Sequence, residues 1–178
     1  MKNLLFLVFT LVLIGCSTAT PEDQLNRIIG SYENYGTDEK KKAPLGVYTE
    51  ARFEAYAKFC DSLKTALQKI DSSQLNDDDQ ISYTLLHFVL NETVVKYEFK
   101  THWNPILSDA GFHSSLTYRV RPITNKQSAI AYLKLLKAIP EYIEQQSPPI
   151  KTGLDEGMGK PHIMFKGKEP PHWKNTPD

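Results

Sequence analysis

Phe53, Tyr56, Cys60, Leu63, Leu67 and Ile70 alternate three and four residues apart, and a helix brings side chains at that spacing onto one seam. The seam is too short for a free coiled coil, so it predicts a helix from Thr49 to about Ile70 packed inside an antiparallel helix pair or bundle. Cys60 falls on the seam and reads as a small core residue, because nothing near it in sequence would lower its pKa.

The same period governs most of the remaining chain. Thr20, Pro21, Glu22 and Asp23 offer an N-cap hydroxyl, a first-turn proline and acids at the positive end of a helix dipole. Leu25, Ile28, Ile29 and Tyr32 follow as one apolar face. This helix should fail near Gly36, leaving Asp38 to Lys42 as a solvated charged loop ended by Pro44 and Gly46. Asn76 caps a third, longer helix with Asp77, Asp78 and Asp79 in its first turn; these acids lack the alternate spacing and the glycine of a calcium loop.

On that third helix Ile81, Leu85, Phe88, Val95 and Phe99 form one stripe. Leu86, Val89, Leu90 and Val94 widen it until the helix reads as central. Glu92 lies within the stripe, where it needs either the stripe's edge or a cationic partner. From His102 to Pro122 the pattern breaks around Trp103, Asn104-Pro105 and Gly111, and Leu116 to Arg121 alternate as an extended segment would. Thr124 with Gln127 offers a capping box for a fourth helix carrying Ile130, Leu133, Leu136 and Lys137, which should stop before Pro140. Pro140 and Pro148-Pro149 suit the first turns of further short helices. The expected fold is mainly α: a bundle of antiparallel helices with one irregular loop over 22–162, then a disordered tail over 163–178, where Pro170, Pro171 and Pro177 stand among polar residues.

The first residues carry an address. Lys2 precedes an apolar run from Leu4 to Ile14 interrupted only by Thr10, which is the h-region of a signal peptide over 1–15 and too short to span a membrane as a stable helix. It ends in Leu13-Ile14-Gly15-Cys16, a lipobox. The expectation is cleavage before Cys16, lipid on its thiol, and a tether over 16–21. Several acyl chains hold a membrane where a single chain binds only marginally. Ser17, in place of an aspartate, argues against retention at the inner membrane, so in a Gram-negative cell the outer membrane is the expected address, with the domain facing the periplasm or cell exterior.

Losing that segment removes one cation from a chain with 21 basic and 21 acidic residues. The near-neutral remainder has no basic excess to neutralise phosphates, which excludes nucleic acid as a partner on charge and on compartment. With Cys16 lipidated, Cys60 has no partner for an intrachain disulfide.

The sequence lacks several common catalytic and metal-binding motifs. His87, His102, His113, His162 and His172 contain no pair four residues apart, so the zinc helix His-Glu-x-x-His is absent. His102 and His113 flank the irregular stretch and could converge, although exposed or core-satisfied histidines are the commoner outcome. Gly153 to Lys160 has the wrong glycine spacing for a phosphate loop, Pro161 stands where a magnesium-binding hydroxyl belongs, and no strand precedes it. No Gly-x-Ser-x-Gly elbow occurs.

Three segments in order, Leu75 to Leu86, Ala131 to Tyr142 with its Ile139-Pro140 break, and Gly153 to Pro161, resemble the amino-terminal half of the bacterial family called domain of unknown function 885. The resemblance runs from about Glu22 to His162. It implies a mainly helical, zinc-peptidase-like lipoprotein whose metal site is built on a His-Glu-x-x-His helix in the carboxy-terminal half. No position of this sequence matches those ligands, so no catalytic, cofactor-binding or metal residue carries over, and zinc is expected only in that other half. The chain leaves the family pattern after Met164, as a truncated or frame-disrupted member would. Three readings follow: a helical module without catalysis of its own, a peptidase complemented by a separate half, or a lipoprotein that binds a partner or ligand through aromatics such as Trp103, Phe112 and Tyr118.

Overall fold

Helix follows helix in the computed structural model, which describes residues 19–107, 110–116 and 122–159. The signal peptide, Cys16, Ser17, the alternating residues 117–121 with Tyr118, His162, His172 and the tail over 163–178 lie outside the described residues. The elements are α1 (Pro21–Asn34), α2 (Thr37–Lys42), α3 (Glu50–Leu67), a 3-10 turn at Ser72–Gln74, α4 (Asp77–Glu98), a second such turn at Thr101–Trp103, the antiparallel hairpin β1 (Ile106–Leu107) and β2 (Ala110–Gly111), α5 (Phe112–Ser115), α6 (Lys126–Lys137), α7 (Ile139–Glu144) and α8 (Ser147–Asp155). The mainly helical reading therefore holds, and none of the described helices is long and apolar enough to cross a membrane. The chain divides into two compact units, Met1–Tyr35 with Ser62–Leu90, and Gly36–Asp61 with Asn91–Asp178.

In the first unit the helix starts follow their caps. The Thr20 hydroxyl accepts from the Asp23 amide at 3.1 Å while the Asp23 carboxylate accepts from the Thr20 amide, closing a reciprocal box with Pro21 in the first turn. Asn76 Oδ1 accepts from the Asp79 amide at 3.0 Å and starts α4. The core of this unit is aliphatic: Leu25, Ile28, Leu67, Ile70, Leu75, Leu86 and Leu90 are buried, each adding about 1.5–3 kcal/mol of transfer free energy.

The central reading of α4 is corrected, because one of its two apolar rows is exposed. The stripe of Ile81, Leu85, Phe88, Val95 and Phe99 is exposed, and Leu86 and Leu90 from the other apolar row face inward. Both rows satisfy the helical period, so the choice between them is made by what packs against the helix. Glu92, in register with the exposed row, meets Lys96 one turn later at 2.8 Å.

The second unit holds two further corrections. Residues 37–42 form the helix α2 and not a loop: Asp38 and Glu39 sit at its positive end, Lys41 reaches back to Asp38 at 2.7 Å, and Glu39 is held by Arg52 Nε at 2.8 Å. Gly36 enters α2 at φ +70° with Arg52 Nη2 2.9 Å from where a Cβ would stand, so this turn requires glycine. The cap of α6 also moves by one residue: Asn125 and Ser128 form the box, with Ser128 N–H to Asn125 Oδ1 at 2.8 Å, in place of Thr124 and Gln127. The amide competes well with the hydroxyl at an N-cap. As expected, α6 stops before Pro140, and the prolines open α7 and α8. Cys60 is fully buried on the seam of α3, and burial pushes its thiol up, against hydrogen bonds with Tyr56 and Thr93. It packs in the core, as its place on the seam predicts.

Candidate functional site

α4 ends because Lys100 takes the left-handed conformation, φ 54° and ψ 34°, which side chains other than glycine seldom adopt. Interactions hold it there: its ammonium lies 4.0 Å from the centre of the Tyr97 ring, 5.4 Å from that of Trp103 and 3.5 Å from Glu50. Burial works against the Lys100 charge, but the contacts with Tyr97 and Glu50 outweigh it and raise its pKa. The reversal throws His102 and Trp103 back toward the start of α3.

There Glu50 gathers four groups. His102 Nε2–H donates to Oε2 at 2.6 Å and Trp103 Nε1–H donates to the same oxygen at 3.1 Å. The Tyr97 hydroxyl donates to Oε1 at 3.2 Å, and Lys100 stands beside them. Burial would raise the Glu50 carboxyl, but the hydrogen bonds from His102 and Trp103, with attraction to the ring and the Tyr97 hydroxyl, hold it below its ordinary value of 4.5. Its place in the first turn of α3 favours the anion in the same sense. The His102 side chain is only 5% exposed. Its ring stacks on Phe53 at 4.5 Å and 25° and lies nearly parallel to Tyr97 at 5.4 Å and 9°.

A lowered folded-state pKa means that Glu50 adds stability above the unfolded carboxylate value and loses it as pH falls through the folded one. Glu50→Gln should therefore flatten the acid limb of the stability curve below about pH 4.5. Urea melts of both proteins across that range check it. Because half of the Glu50 side chain is exposed, solvent screening keeps the effect small.

Two cavities meet at this carboxylate–imidazole pair, both within the second unit. His102 lines one of about 540 Å³, together with Tyr48, Phe53, Tyr56, Tyr97, Phe112 and Tyr142. Glu50 lines the other, of about 660 Å³, with Trp103, Pro148, Pro149, Glu141 and Glu144. Tyr48 borders both. Its amide donates to Gln145 Oε1 at 2.6 Å, and its ring meets that of Tyr142 edge-on at 5.2 Å. Gly153 of α8 lies directly on the Trp103 carbonyl, and Asn104 Nδ2 donates to the Met158 carbonyl at 2.8 Å. The irregular stretch is thus clamped from behind.

With one ring nitrogen fixed on a carboxylate, the other nitrogen of His102 presents its lone pair in a defined orientation. Among the described residues no three of His, Cys, Asp and Glu are grouped to hold a metal ion. Trp103 and Phe112, expected in the irregular stretch, each line a cavity. His102 is buried and paired, and is not brought to a described contact with His113, whose side chain is not among those described. Glu50, Tyr97, Tyr142 and Gln146 carry no local motif. The signal present is aromatic density: Tyr48, Phe53 and Tyr56 flank Glu50, and Tyr97 and Trp103 flank His102.

Residues 30–168 match the profile of a family described as "Bacterial protein of unknown function (DUF885)". No curated protein and no solved structure matches the chain.

Proposed function

Because the chain belongs to the DUF885 family of bacterial proteins, we propose that it is a lipid-anchored helical module of a peptidase-like protein, without catalysis of its own, that docks a further domain on apolar helix faces. Cys16 is the proposed anchor and the membrane surface the proposed location. The observation that carries the reading is the exposure of Ile81, Leu85 and Phe88 on α4, at 59%, 60% and 65%. Large apolar side chains in register along a helix mark an interface. In the other unit α6 leaves Ile130, Leu133 and Leu136 exposed as well, and none of its residues is buried. The chosen occupant is the His-Glu-x-x-His-bearing half that the family resemblance implies, which would bring its own zinc.

The test mixes the purified chain with that half, taken from a longer family member. Co-elution on size exclusion should occur with the wild type and be lost with the triple change Ile81→Gln, Leu85→Gln and Phe88→Gln, and the chain alone should hydrolyse no peptide with or without zinc. Failure of the wild type to associate, or undiminished association of the triple variant, would sink the docking claim. The anchor is checked separately: labelled palmitate should enter the wild type and not Cys16→Ser.

A further inference from the structure

Two side chains that line the aromatic cavity each carry a hydrogen-bond acceptor unused among the described residues. His102 gives Nε2 to Glu50, and Nδ1 makes no hydrogen bond with any described residue. Gln146 is 3% exposed; its Nε2 makes one long contact of 3.5 Å to the Tyr142 carbonyl, and its Oε1 accepts from no described residue. Yet among the described residues no side-chain nitrogen or oxygen is both sealed from solvent and without a partner. Neither atom is therefore sealed, and both residues line the cavity. A buried acceptor left facing an apolar enclosure favours whatever brings it a donor.

The walls set the remaining chemistry. Tyr48, Tyr56, Phe112 and Tyr142 present rings, and about 540 Å³ suits a two-ring molecule. Among the described residues the one lysine or arginine on the wall, Lys96, is paired with Glu92 at 2.8 Å, and the Glu50 carboxylate stands directly behind His102. Both arrangements disfavour an anionic ligand. We propose that this cavity is a binding site for a small, flat, uncharged aromatic molecule carrying an O–H or N–H group, which donates to His102 Nδ1 or Gln146 Oε1 while its rings lie among the tyrosines. The proposal does not depend on the docking of a second domain.

The probes are 2-naphthol and 2-methoxynaphthalene, titrated calorimetrically into the purified full chain. They share a ring system, but only the first has a donor. The ether is the more apolar, so hydrophobic burial alone would rank it tighter. 2-Naphthol is expected to bind roughly five- to tenfold tighter than the ether. Gln146→Leu and His102→Phe should each shrink that ratio, and the double change should bring it to about one while the ether still binds. Equal affinities in the wild type, tighter binding of the ether, absence of saturable binding, or a preference that survives the double change would each overturn the site. The wild-type comparison decides the matter even if a substituted chain fails to fold.

Discussion

Leu90→Ala should lower the stability of the protein by about 3 kcal/mol, whereas Leu85→Ala, five residues earlier on the same helix, should cost less than about 0.5 kcal/mol. The chemistry of the two changes is identical and only the surroundings differ. Leu90 is completely buried and Leu85 is 60% exposed, so the first leaves a cavity and the second trims a surface. In a chain of this length the difference corresponds to roughly 5–12 °C in Tm, which calorimetry resolves easily. A large loss at Leu85 would mean that α4 turns its other row inward and that the proposed docking face is core.

The second large effect comes from glycine. In helix interiors Gly→Ala ordinarily stabilises by up to about 1 kcal/mol, and Gly30 in α1, with nothing within 4 Å of an added Cβ, should obey. Gly153 in α8 should reverse the sign. A Cβ there would collide with the Trp103 carbonyl oxygen and stand 3.1 Å from the Trp103 Cβ, and the blocking atom is backbone, which cannot swing aside. Gly153→Ala is expected to cost about 2–3 kcal/mol through forced separation. It should also move Trp103 off Glu50, coupling a stability defect to the binding cavity. Thermal melts of the two variants side by side check the sign, and a stabilised Gly153→Ala would refute the close approach.

How far the sequence reaches into this molecule is set by the range of the interactions involved. Capping is local, so the starts of α1 and α4 are legible from Thr20 to Asp23 and from Asn76 to Asp79. At α6 two candidate caps stand side by side, and the outcome turned on Asn125 against Thr124, a contest within a few tenths of a kcal/mol. The seam of α3 was legible because it has one apolar face. α4 has two, and periodicity alone cannot say which is covered. The Glu50–His102 pair joins positions 52 residues apart, with no periodic or motif relation between them. Nothing short of the left-handed turn at Lys100 and the stacking on Phe53 brings them together. Of the two outcomes expected for His102, exposed or core-satisfied, its burial fits the second, and its partner was not legible.

Trp103 gives this site a voice of its own. The chain has two tryptophans, and this one carries a carboxylate 3.1 Å from its indole nitrogen and an ammonium 5.4 Å from its ring centre. Indole emission responds to the local field, so its colour shifts whenever either charge moves. With Trp173→Phe as the working background, one optical transition follows the opening of the turn, the seating of a ligand and the protonation of Glu50, without a label attached anywhere.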